Sequence, residues 1–188
     1  KSTLLRLFQG LVRPSSGTVS VDGISFSNIN IENYRSQVAL VNLNPTFFNG
    51  TIEDNLRRTR PSVSERDFAD ALDWSGLSSI VNQFPEGLST HLDQSGSELS
   101  SGHRMVVSIA RALISNPRIL LFDEVFAPLD HGLQSHVLEN LNNMTRGKTF
   151  VMATHDLKFI YNYDRVIVMD AGQLNGLGTH DELLKSSK

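Results

Sequence analysis

The sequence predicts an α/β fold built on a largely parallel sheet. Short apolar runs at residues 38–41, 119–122, 150–153 and 166–169 have the length and the β-branched and aromatic content of buried strands. Stretches with helical spacing separate them, the alternation expected where helices join parallel strands. With 188 residues, 39% of them hydrophobic and 20% charged, the chain can build one sizeable core and a small second lobe.

Taken in order, the chain opens on Lys1-Ser2-Thr3, followed by Leu4, Leu5, Leu7 and Phe8 at helical spacing. Residues 18–22 alternate instead, with Val19 and Val21 on one face, and the turn pair Asp22-Gly23 follows; this reads as an antiparallel strand with one exposed face. Residues 52–113 lack strand-like runs and read as an inserted helical lobe. Ser64 stands there before Glu65 and Asp67 as a helix start, and residues 69–77 are rich in helix formers. Residues 104–114 are apolar almost all round, through Met105, Val106, Val107, Ile109, Ala110, Leu113 and Ile114. They predict a largely buried helix, stopped by Asn116-Pro117 and preceded by a Ser- and Gly-rich loop at 95–102. The core lobe then comprises about residues 1–51 and 114–188.

Charge and composition exclude several classes of function. Seventeen Lys and Arg against twenty Asp and Glu give a net charge of −3, which offers a polyanion no bulk attraction and argues against nucleic-acid binding. The absence of cysteine removes disulfides, thiolate metal sites and thiol nucleophiles. No apolar run approaches the ~20 residues that span a bilayer. Because the sequence begins on Lys1 without an initiator Met, we read it as a segment of a longer polypeptide whose upstream part includes any membrane spans.

Four elements carry candidate chemistry. Lys1-Ser2-Thr3 ahead of an apolar helix matches the last part of a phosphate-binding loop. The apolar run at 119–122 ends in two adjacent carboxylates, Asp123 and Glu124, and a buried strand delivers such side chains to the ligand crevice at the end of an open α/β sheet. Asp123 is suited to hold Mg²⁺, directly or through water, with the Ser2 hydroxyl as a further ligand. Glu124, one residue on, points differently and is free to polarise a water; the plain alternative is a strand that ends in two solvated acids. The run at 150–153 ends in Thr154-His155-Asp156, which brings His155 to the same crevice as a phosphate sensor or as an ordinary structural histidine. Finally, residues 97–103 place Ser100, Ser101 and Gly102 at the start of the buried helix. There they either present N–H groups and the positive helix dipole to an anion or simply cap the helix.

The order of these elements, with a loop at Pro45 between the first two, resembles the nucleotide-binding domain of an ATP-binding cassette (ABC) transporter over residues 1–184, beginning within its phosphate loop. Asn49-Gly50-Thr51-Ile52, Asp54-Asn55-Leu56, Ser95-Gly96-Ser97-Glu98-Leu99 and Gly178-Thr179-His180-Asp181-Glu182-Leu183 look like the exporter branch. The resemblance implies a P-loop NTPase (RecA-like) core with a mostly parallel sheet, an inserted helical subdomain and part of an antiparallel β-subdomain. It also implies an Mg²⁺-dependent ATPase coupled to transport at the cytoplasmic face of a membrane, in one polypeptide with a membrane-spanning domain. Two such domains, as a homo- or heterodimer, would close head to tail around two ATP molecules. By the same resemblance Lys1 contacts the β and γ phosphates, Thr3 supports the α phosphate, and Ser2 and Asp123 hold Mg²⁺. Glu124 orients the attacking water and His155 senses the γ phosphate; Ser100 and Gly102 reach the partner's nucleotide, and Asp130 lies in the dimer-contact loop.

Four positions depart from the family pattern. Leu43 stands where a Gln normally touches Mg²⁺ and water, flanked by Asn42 and Asn44. The signature, normally Leu-Ser-Gly-Gly-Gln, reads Leu99-Ser100-Ser101-Gly102-His103, so that Ser101 adds a side chain where backbone should approach phosphate. Gln94 stands where exporters usually carry an acid that contacts the membrane domain. Slow turnover is the expectation from Leu43 and the altered signature. A soluble ABC ATPase of DNA repair or translation and a nucleotide-binding pseudoenzyme are the alternative readings.

Overall fold

Three of the four apolar runs pair as parallel neighbours at the centre of the molecule, in a computed structural model that describes residues 1–186. The chain starts with helix α1 (Ser2–Phe8), and the predicted antiparallel turn follows as β1 (Ser20–Val21) and β2 (Ile24–Ser25). Asp22 and Gly23 both take left-handed backbone, at φ 50° and 78°, as a two-residue hairpin of this hand requires. Helix α2 (Ile31–Arg35), capped by the Asn30 side chain, leads into β3 (Val38–Val41). Strand β4 (Gly50–Thr51) runs directly into α3 (Ile52–Arg57), where Thr51 and Asp54 cap each other's backbone N–H groups at 3.0 and 2.9 Å.

Ser64 caps α4 (Glu65–Trp74) as its position predicts, and Gly76, at φ 81°, turns the chain into α5 (Leu77–Ile80). Strand β5 (His91–Leu92) pairs antiparallel with β4. Residues 52–113 thus hold one short strand that the sequence pattern does not predict; a two-residue bridge spaced about forty residues along the chain leaves no periodic signal. Helix α6 (Ser101–Ile114) is buried along most of its length, and Asn116, in the left-handed region at φ 49°, redirects the chain at Pro117.

Strands β6 (Ile119–Asp123) and β7 (Thr149–Ala153) flank α7 (His131–Thr145) in the sequence; the sheet order is β3-β6-β7, all parallel. Central strand β6 is covered on both faces. Leu120 and Phe122 enter a core shared with α3 to α7, whereas Leu121 packs with Leu5 of α1 and Val38. Each of these fully buried side chains contributes about 1.5–3 kcal/mol relative to exposure. Two-sided cover explains why these strands read as continuous apolar runs.

The fourth run forms β8 (Val166–Asp170), but not as a buried strand of the parallel sheet. It pairs antiparallel with β9 (Gln173–Gly178), and Ile167 and Val168 are exposed to 46% and 42%. An apolar run sets a strand's composition, whereas the partner here is set by the two-residue turn Ala171-Gly172, left-handed at φ 46° and 80°, which folds β9 back onto β8. Helix α8 (His180–Ser186) ends the described chain, with Thr179 and Glu182 forming a second capping box. Among the described residues no helix is long and apolar enough to cross a membrane.

Candidate functional site

Parallel pairing sets the site, because β6 and β7 end side by side with Asp123 opposite Ala153. One residue beyond the strand, Glu124 still donates its backbone N–H to the Ala153 carbonyl at 2.9 Å, yet its own backbone is left-handed at φ 54°. A non-glycine residue there costs about 1–3 kcal/mol and persists because its surroundings hold it. The Glu124 carboxylate meets two other groups at this turn. It lies 2.9 Å from His155 Nδ1 and 3.7 Å from Lys1 Nζ, and Lys1 also donates to the Thr154 carbonyl at 2.6 Å.

Lys1, Glu124 and His155, spread over the whole chain, therefore meet at one sheet end, as their motifs predict. Glu124 is the more enclosed member and His155 is largely solvent-facing, with side chains 22% and 75% exposed. Asp123 is half-buried and makes no side-chain hydrogen bond or ion pair to another described residue. Ser2 and Thr3 begin α1 with exposed side chains. Thr154, which sequence reasoning left without a role, supplies the carbonyl that seats Lys1 and a hydroxyl that accepts from the Asp156 N–H at 3.0 Å.

The signature segment is built separately. Ser100 is the N-cap of α6, its hydroxyl accepting from the His103 N–H at 3.1 Å, and the His103 ring meets Phe84 edge-on at 5.2 Å. A Cβ on Gly102 would lie 3.1 Å from the Pro128 carbonyl oxygen, so glycine permits α6 to approach the loop that follows Glu124. Ser100 and Gly102 have no hydrogen bond to Lys1, Glu124 or His155 within the described chain. Asp130 caps α7, accepting from the Leu133 N–H at 2.9 Å.

Leading into α6, Asp93 accepts hydrogen bonds from the N–H and hydroxyl groups of both Ser95 and Ser97. These, the Ser95 hydroxyl first, hold its carboxyl down at about 2. An Asp followed by Ser at the second and fourth positions is a turn signal that was there to be read. Gln94 accepts from the Phe47 N–H at 3.1 Å, tying this loop to the one that leaves β3. That second loop departs level with Phe122, and its Leu43 is 45% exposed.

A sequence model of the ABC transporter family matches residues 1–127. The chain belongs to the ABC transporter family. It is a nucleotide-binding domain homologous to those of exporters. This ABC domain is 37% identical over 186 residues to ABC transporter B family member 3 of Dictyostelium discoideum, covering 99% of the chain and 13% of that protein. It is 36% identical over 184 residues to the ATP-dependent lipid A-core flippase of Neisseria gonorrhoeae, covering 98% of the chain and 30% of that protein. A solved structure of a bacterial Atm1-family ABC exporter with ATP bound superposes with a TM-score of 0.92 at 29% identity, over the whole of this chain and 33% of the other. The ABC domain thus spans about a third or less of these relatives. The fold expected from the resemblance, a P-loop NTPase core of mixed α/β structure around a parallel sheet, is the one observed.

Proposed function

We propose that this chain is the ATP-binding and ATP-hydrolysing motor domain of a membrane exporter, working at the cytoplasmic face of a membrane. The convergence of Glu124 with His155 and Lys1 beside Asp123 carries the reading. Lys1 is suited to the β and γ phosphates and Thr3 to the α phosphate. Glu124 would accept a proton from an attacking water, and His155, the more exposed of the two, would meet the γ phosphate. Ser100 and Gly102, with the start of α6, would contact a nucleotide held by a second such domain, and Asp130 would face that partner across the dimer. The core lobe would comprise about residues 1–51 and 114–188, with residues 52–113 as the helical lobe.

Asp123 and Ser2 fit Mg²⁺ chemically. A half-buried carboxylate with no protein partner among the described residues and an exposed hydroxyl are hard oxygen donors, and Mg²⁺ keeps several waters besides one or two such ligands. Bound there, the ion would neutralise charge on the transferring phosphate.

Leu43, exposed where the family places a Gln, favours slow turnover, with a nucleotide-binding pseudoenzyme as its extreme form. Phosphate release by the intact protein in lipid vesicles, with and without Mg²⁺, tests the proposal. Mg²⁺-dependent ATP hydrolysis is expected. Nucleotide binding without product, in both single and multiple turnover, would replace the motor by the pseudoenzyme.

A further inference from the structure

Two loops carry the groups just described: residues 124–130, with Glu124 and Asp130, and residues 154–158, with His155. They face each other across the end of the sheet, and one side chain on α7 is bonded to both. The Gln134 amide group donates to the Phe126 carbonyl at 3.0 Å and to the Leu129 carbonyl at 2.9 Å, clamping the first loop from inside its turn. Its amide oxygen accepts from Lys158 Nζ at 3.1 Å. Lys158 is in turn 3.0 Å from the carboxylate of Asp156, the residue after His155. The stacked rings of Phe126 and Phe159, with centroids 4.6 Å apart, form the floor beneath this bridge.

We propose that Gln134 is a positioning residue that holds the Glu124 loop and the His155 loop in register, with Lys158 as its link to the second loop. Its side chain is matched to the task, since two carbonyls on one side require a donor and an ammonium on the other requires an acceptor. Glutamate would satisfy Lys158 and oppose the carbonyls; leucine would satisfy neither. Register matters because a displacement of about 1 Å between catalytic groups costs on the order of a hundredfold in rate.

The inference rests on the ATPase reading, so its test includes a measurement that needs no hydrolysis. In the intact protein, Gln134→Leu and Gln134→Glu are expected to lower kcat about tenfold with KM for ATP changed less than twofold, and Lys158→Arg to retain activity that Lys158→Met loses. Independently, Lys158→Met is expected to speed hydrogen exchange at the amides of Phe126, Ala127, Leu129 and Asp130 several-fold, although Lys158 lies on the other loop. An active wild type with unchanged kcat in Gln134→Leu would overturn the inference and leave the ATPase intact. A wild type no more active than Glu124→Gln would overturn the ATPase reading, and the exchange measurement would then decide the coupling alone. Unchanged exchange in Lys158→Met would overturn it.

Discussion

Glu124 Oε2 and His155 Nδ1 stand 2.9 Å apart although thirty residues separate them in sequence, and Glu124 makes the contact from a left-handed turn at the end of its strand. The residue that carries the backbone strain is thus the one that meets His155.

The loop between β3 and α3 depends on a buried amide. Asn55 is fully buried; it accepts from the Phe48 N–H at 2.8 Å and donates to the carbonyls of Phe48 and Thr51 at 2.9 Å each. Asn55→Leu leaves these backbone groups without partners and is expected to cost about 2–3 kcal/mol. Urea denaturation measures it, and a loss under ~0.5 kcal/mol would mean that the loop finds other partners.

The Asp93 loop predicts a specific acid response. Its carboxyl falls from an ordinary 3.8 to about 2 in the folded protein, so the unfolded chain takes up its proton first as pH drops. The stabilisation is complete above 3.8 and disappears as pH falls through about 2. Asp93→Asn is expected to flatten stability against pH within that window and leave the slope above pH 5 unchanged. Equal slopes for both proteins between pH 4 and 2 would show that the serine hydrogen bonds do not discriminate charge.

Much of this was legible from local chemistry. Ser64, Ser100 and Asp22-Gly23 announce themselves because caps and tight turns depend on a few adjacent residues. The convergence of Lys1, Glu124 and His155 was legible because parallel strands end at one edge, given the motifs. What escaped through distant partners is the bridge of His91–Leu92 to Gly50–Thr51 and the Gln134 link to Lys158. Neither leaves a period or a motif, because each is decided by which surfaces meet after the chain has folded; the pairing of Val166–Asp170 with Gln173–Gly178 does carry a local signal, the two-residue turn Ala171-Gly172, left-handed at φ 46° and 80°.

The altered signature predicts a gain of function. Ser101 and His103 occupy the first turn of α6, where backbone N–H groups would face a partner's nucleotide. Losing one preorganised donor costs ~3 kcal/mol, or about a hundredfold in rate. Ser101→Gly combined with His103→Gln is therefore expected to raise steady-state ATP turnover at least several-fold with little change in KM. Unchanged turnover would locate the slow step elsewhere, with Leu43 as the next position to replace.

On the function proposed, Glu124 and His155 act together on the bound nucleotide. Single-turnover ATP hydrolysis by the intact protein, measured for Glu124→Gln, His155→Ala and the double variant, tests it most directly. Residues acting as a unit lose activity together. Each single variant is expected to fall at least a hundredfold while still binding ATP, and the double variant no further than the worse of the two. Turnover that survives in either single variant, or losses that multiply in the double, would contradict the account.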